Sequence, residues 1–273
     1  MSQRDMEPAG GSDAEYLRLI LDALEVCSAY RPKFGKRIAA GFTLEGFRAL
    51  YRDDPFYTWF GLDSPLLYAA HRAAGGITSV YRQIGTGCER LFRQLLQDTL
   101  ELEPSEVTWA YEVPGVRGRA RTLSLDARIS VDAIRDAGRR AAIEDWLARA
   151  SRTLQVAAAA ASALRGIVFE VRQGYKSKDA KRQDADIGNA AHAYANAYLP
   201  VVALFSTQID ADIEERYARA QWLILKGSLG GTSLDSTYVF CREVLGYDLA
   251  GFFERNSHSI KSQVEAVMEA LLA

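Results

Sequence analysis

Cysteine and histidine are scarce in this chain of 273 residues, with three of each. Cys27, Cys88 and Cys241 lie far apart, are odd in number and have no metal-ligand spacing. A disulfide-stapled scaffold and a cysteine zinc site are therefore excluded, and a reducing, cytoplasmic setting is expected. His71, His192 and His258 are isolated, so neither a histidine-based hydrolytic centre nor a histidine zinc site is expected. No apolar run approaches the ~18 residues that a membrane span needs. The opening MSQRDMEPAGGSDAEY lacks the apolar core of a signal peptide. The net charge is only −2, so attraction for a polyanion must come from local patches and not from the whole surface. The glycine-rich GSLGGTS has neither the lysine nor the spacing of a phosphate-binding P-loop. No internal repeat is visible.

Two such patches are present. Arg117, Arg119 and Arg121 cluster in GVRGRAR, and Arg172, Lys176, Lys178, Lys181 and Arg182 stand against the single anion Asp179. Charge clusters of this kind are often only solvated surface. At 273 residues the chain can form one large domain or two modest ones.

Hydrophobic periodicity supplies the organisation. Ser12 or Asp13 can cap a helix carrying Leu17, Ile20, Leu21 and Leu24 on one face. Residues 32–76 are aromatic-rich and broken by Gly and Pro, suggesting short helices under loops, with Gly75 and Gly76 as punctuation. The next helix presents Ile84, Cys88, Leu91, Phe92, Leu95 and Leu96, with Glu89 at the edge of that apolar face. TWAYEV and TLSLDARISV carry strand signals. In the second, Leu123, Leu125, Ala127, Ile129 and Val131 alternate with polar residues, placing Asp126 on the polar face of one half-buried strand. Residues 134–164 look helical, and the alanine-rich end predicts a helix packed closely against a neighbour.

The most informative stretch follows. In IVFEVRQGYKSKDAKRQDAD, a strand places Glu170 and Arg172 on one face and Ile167, Phe169 and Val171 on the other. The basic segment comes immediately after it. Then comes a helix with Ile187, Ala190, Ala191 and Tyr194 inward, an unbroken apolar strand VVALFS of the buried parallel type, a further helix, a short strand WLILKG and a helical tail. The expected fold is α/β: a mixed central β-sheet flanked by helices, with helical N- and C-terminal additions. A helical region over 1–78 is expected to pack on a core over 79–273 that holds a helical insertion at 134–165.

Two acids on adjacent strands beside an arginine suit a site for a metal ion and a phosphate together. Mg²⁺ takes hard oxygen ligands and usually only one or two protein carboxylates; Asp126 and Glu170 could supply that pair. Arg172 stays protonated and cannot be a base, but it can grip a phosphate.

In GCERLFRQLL (Glu89), LSLDARI (Asp126), VFEVRQGYK (Glu170, Arg172), the Gln/Lys-rich helix from Lys178 and the strand VVALFS, the chain resembles the PD-(D/E)XK nuclease superfamily, in particular type II restriction endonucleases. The resemblance runs from about Gly85 to Ser206. Leu125 stands where that family has proline. Arg172 stands in its lysine position, with Lys176 as a candidate substitute. The resemblance implies a restriction-endonuclease-like core and Mg²⁺-dependent, sequence-specific hydrolysis of phosphodiester bonds in double-stranded DNA. It implies catalytic roles for Glu89, Asp126, Glu170, Arg172 and Lys176, with Asp126 and Glu170 as metal ligands. Arg117, Arg119, Arg121, Gln173, Lys178, Lys181 and Arg182 become candidate DNA contacts. A homodimer and a cognate DNA methyltransferase in the same system are the expected partners. Two alternatives stay open: a repair or defence nuclease without sequence specificity, and a non-catalytic nucleic-acid-binding module with an eroded site.

Overall fold

The computed structural model describes residues 13–34, 40–52, 55–114, 120–174 and 180–272; at 51, 56, 57, 113, 114, 120, 121 and 180–187 it describes the backbone alone. It contains ten α-helices and six strands among those residues. The chain divides into two compact units. One holds Cys88–Arg255 with the start of the chain through Tyr16, and the other holds Leu17–Gly87 with Asn256–Ala273. The division thus lies at Gly87 and not near 78, and the end of the chain belongs with the helical unit.

The α/β unit is built on a mixed four-stranded sheet, β3 (Ala127–Ser130), β4 (Gly166–Arg172), β5 (Tyr198–Leu204) and β6 (Leu223–Leu225), in that spatial order. β3 runs antiparallel to β4, and β4, β5 and β6 are mutually parallel. Every residue of β5 is buried, as its unbroken apolar sequence requires of a parallel strand covered on both faces. One face of the sheet offers Val168, Val202 and Leu204 to Ala190 and Ala193 of α7 (Ala180–Ala195) and to Ile213 and Tyr217 of α8 (Ala211–Arg219). On the other face Phe169 meets Phe92 of α4 (Pro65–Leu100) at 5.0 Å and Phe240 of α9 (Thr237–Glu243) at 5.8 Å. Phe240 in turn meets Trp146 of α5 (Ala137–Thr153) at 4.9 Å. Burying each such ring contributes about 1.5–3 kcal/mol. Helices therefore flank the sheet on both sides.

β1 (Trp109–Pro114) and β2 (Ala120–Leu125) form a separate antiparallel hairpin. The segment expected as one strand over 123–131 is two, β2 and β3, broken by a bend at Asp126. The expected alternation survives the break: Leu125, Ala127, Ile129 and Val131 are buried and the residues between them are not.

Three local expectations are corrected. The alanine run forms only α6 (Ala158–Ala163), which buries no residue. Alanine favours the helix but carries too little apolar surface to anchor it. In α7 Ala190 is buried and Tyr194 half-buried as expected, but Ala191 is exposed, with Asn189 and Ala193 inward; the side chain of Ile187 lies outside the described residues. The strand β4 has no solvent face, because Glu170 is as buried as its neighbours.

The helical unit contains most of α1 (Asp13–Glu25), α2 (Leu44–Tyr51), α3 (Pro55–Trp59), the first part of α4 and the end of α10 (Leu249–Leu272). Its core joins Ile20, Leu24, Phe47, Val80, Val267 and Leu271. Gly75 and Gly76 do not punctuate the chain; they lie inside the continuous 36-residue α4. A Cβ on Gly76 would come within 2.6 Å of the Leu271 side chain, and one on Gly75 would overlap the Tyr30 hydroxyl. These glycines permit close packing at a cost of about 1 kcal/mol each in helix propensity. No described helix is long and apolar enough to cross a membrane.

Candidate functional site: a carboxylate corner at the end of β4

The bend at Asp126 positions the site. Ala127 faces Phe169 across the β3–β4 ladder, and the Asp126 backbone N–H donates to the same Phe169 carbonyl at 2.9 Å. Two residues of one strand thus oppose one of the other, the arrangement of a β-bulge, which redirects a side chain. The redirected Asp126 carboxylate accepts the Val171 backbone N–H through Oδ2 at 2.7 Å. It takes a place in the ladder that a main-chain carbonyl would otherwise fill, so its position beside Glu170 is set by backbone.

Glu170 is 5% exposed and forms an ion pair with Arg172 on the same side of β4. The expected sharing of a face by these two residues is therefore present, but inside the protein and not at a solvated surface. Burying an acid is costly unless it is paired and hydrogen-bonded, and the adjacent guanidinium offsets that cost.

Glu89 projects from α4. Its carboxyl is pushed up to about 8, first by burial and then by a hydrogen bond to, and repulsion from, the Asp126 carboxylate; Arg93 and Arg172 oppose the shift. Glu89 accordingly carries a proton at neutral pH and donates it to Asp126, as two acids in contact must arrange.

Arg93 is a residue that the sequence reading missed. It lies four residues after Glu89, hence on the same helix face. Its Nε and Nη2 both donate to the Asp126 carbonyl, at 2.9 and 2.7 Å. The i,i+4 spacing from Glu89 was the available signal.

Four of the five expected catalytic residues are thus described. Glu89 and Asp126 are in contact, Asp126 is bonded to the backbone one residue beyond Glu170, and Arg172 is paired with Glu170. Lys176, Lys178, Arg117 and Arg119 lie outside the described residues, as do the side chains of Arg121, Lys181 and Arg182. Gln173 follows Arg172 directly, and its side-chain oxygen is shut away from solvent with no donor among the described residues. Arg128, the simple ion-pair partner that Asp126 could have had, instead donates to the Glu106 carbonyl at 3.1 Å. His192 stacks on Tyr111 at 4.5 Å between ring centroids and joins no acid cluster.

Among the described residues no three His, Cys, Asp or Glu side chains come together as a ready ligand set. The donors available are two hard carboxylates, Asp126 and Glu170, beside Glu89, whose carboxyl is pushed up by burial and by the Asp126 carboxylate. That set is unlike a closed zinc centre and fits the one or two carboxylates by which Mg²⁺ is usually held. Comparison of the chain with protein-family models, with curated proteins and with solved structures finds no match.

Proposed function

We propose that the carboxylate corner is the active site of a Mg²⁺-dependent DNA endonuclease, of the kind the sequence resemblance to the PD-(D/E)XK superfamily implies. The observation that carries this reading is the bulge that delivers Asp126 to the backbone beside Glu170, bringing into one cluster residues from α4, the bend and β4. A restriction-endonuclease-like core is supported by the element order: an acid at the bend that opens a short strand, an antiparallel strand with acid-x-cation, a helix, then a buried parallel strand.

Asp126 and Glu170 would hold the cation through their carboxylate oxygens. A bound Mg²⁺ supplies Lewis acidity toward a phosphoryl oxygen and lowers the pKa of a coordinated water. Glu89 holds Asp126 in place by donating its proton. Arg93 fixes the bend by gripping its carbonyl. Arg172, protonated at every relevant pH, is placed to turn a charge-assisted hydrogen bond toward a scissile phosphate once Glu170 has another partner. Two copies of the chain acting on a two-fold symmetric DNA site, with a methyltransferase protecting host DNA, complete the proposal.

One feature favours a second reading. The Glu170–Arg172 ion pair occupies an acid that the cation needs, as an eroded, DNA-binding site would also have it. Incubation of unmethylated phage DNA with the protein, in Mg²⁺ or in EDTA, separates the two. Discrete fragments that require Mg²⁺ and vanish in folded D126N and E170Q variants are expected. Salt-sensitive binding with DNA intact across several divalent metals would overturn the nuclease reading. Cleavage that survives D126N would overturn the site.

A further inference from the structure

The helical unit contains a cavity of about 480 Å³, within the range of small-molecule sites, and none of its lining residues belongs to the carboxylate corner. A smaller hollow of about 360 Å³ shares two of its lining residues, Arg31 and Arg72. Those two arginines are the charged groups common to both spaces. Among the described residues, no Asp or Glu lines either one.

Arg72 is only partly satisfied. Projecting from α4, it donates through Nη2 to the Ala270 carbonyl at 2.7 Å, close to the end of α10. That carbonyl bond anchors the guanidinium at a helix C-terminus, where positive charge is favoured. Its Nε is buried and has no acceptor among the described residues. A buried guanidinium N–H without an acceptor is rare in folded proteins and marks a position where an acceptor is wanted.

Arg31 is held at the rim by a local device. Gly41 has φ +68°, and a Cβ there would come within 2.5 Å of the Arg31 carbonyl oxygen and 2.6 Å of its Cβ. The Phe42 N–H closes this turn onto Pro32 O at 2.9 Å. Only glycine allows the chain to fold back so tightly on Arg31. The rest of the lining includes the apolar and aromatic side chains of Leu44, Tyr68 and Leu271. The Tyr68 hydroxyl is already engaged with the Phe42 carbonyl at 2.8 Å, and its ring meets Phe47 at 5.7 Å between centroids.

We infer that this cavity binds a small phosphate-bearing molecule, its phosphate between Arg31 and Arg72 and its planar or apolar part against Tyr68, Leu44 and Leu271. Two guanidiniums with no acid among the described lining residues favour an anion. The fork of N–H groups on each arginine matches phosphate oxygens. The apolar wall separates a substituted phosphate from the bare ion.

The test is calorimetric titration of the full chain with dAMP as probe, beside inorganic phosphate and a short DNA duplex. Saturable binding of dAMP is expected, tighter than inorganic phosphate by at least tenfold. R31Q is expected to weaken it about tenfold, a loss of ~1.4 kcal/mol, and D126N is expected to leave it unchanged. R72Q should weaken binding further; if R72Q does not fold, R31Q carries the test alone. Absence of saturable binding, or binding that R31Q leaves intact, would overturn the inference. So would inorganic phosphate binding as tightly as dAMP, or full competition by the duplex, which would assign the phosphate to a nucleic-acid backbone.

Discussion

At its Gly166 end, β4 lies between Ser130 and Tyr198. There Ser130 Oγ and the Tyr198 hydroxyl are 3.3 Å apart, and Arg165 covers the Tyr198 ring at 5.0 Å. At its Arg172 end the same strand is less enclosed, and its own Glu170 and Arg172 stand beside Asp126, which is held by Arg93 and touches Glu89. The first end is neutral within the sheet and closed by main-chain bonding; a Cβ on Gly166 would overlap the Ile129 carbonyl. The second places one buried acid, Glu170, and two half-buried ones, Glu89 and Asp126, at the edge of the core. Buried charge of this kind is weak evidence of stabilisation, and it clusters at sites of chemistry. The contrast teaches that the Gly166 end is shaped by packing and the Arg172 end by something the fold does not require.

Substitutions at the two ends sharpen the contrast. The largest effect is expected for Glu170→Gln, which leaves Arg172 without its carboxylate and should cost about 3–5 kcal/mol in urea unfolding. Replacing Glu170 and Arg172 together with leucine should recover most of that loss while abolishing activity. A double variant as unstable as the single one would mean the pair holds the fold. Next comes Gly166→Ala, which meets a carbonyl that has no rotamer to yield; a loss of about 3 kcal/mol, the upper part of the overpacking range, is expected with no specific effect on metal binding.

Asp126→Ala should cost about 1–3 kcal/mol, because the Val171 N–H loses its acceptor. Asp126→Asn keeps an oxygen there and should lose function with little change in stability. A pH dependence is expected at Glu89. Its folded value is raised from the ordinary 4.5 to about 8, so the folded state binds more protons than the unfolded chain between those values. The stabilisation is complete below about 4.5 and is lost as pH rises through 8. In EDTA, the wild-type melting temperature should fall over that window more steeply than that of Glu89→Gln; parallel curves would remove Glu89 from the contact.

Much of this arrangement was legible in the sequence. The alternation around Asp126, the apolar run of β5 and the helical stripe leading to Phe92 follow from periodicities of 2 and 3.6, which survive into the packed structure. The choice of Glu89, Asp126 and Glu170 came from an ordered set of elements and not from any one motif; the contact of Glu89 with Asp126 is present, while no ligand set of three acids forms among the described residues. Periodicity gives no account of what covers a face, so it could not show that Glu170 is buried or that Ala191 is exposed. Nor could it show that Gly75 and Gly76 serve close packing against Tyr30 and Leu271, because those partners are distant in sequence. The alanine run misled for a related reason: propensity makes a helix but does not supply apolar surface. Arg93 escaped notice because its role is to hold a main-chain carbonyl, which leaves no pattern beyond its spacing from Glu89.

The central claim is that Asp126 and Glu170 together hold a divalent cation. Calorimetric or paramagnetic titration with Mn²⁺, as a stand-in for Mg²⁺, tests it without requiring a DNA substrate. One saturable site per chain that disappears in folded D126N and is competed by Mg²⁺ is the result the account predicts. Wild-type protein that binds no Mn²⁺ at millimolar concentration, or a D126N variant that binds it as tightly as wild type, would contradict it.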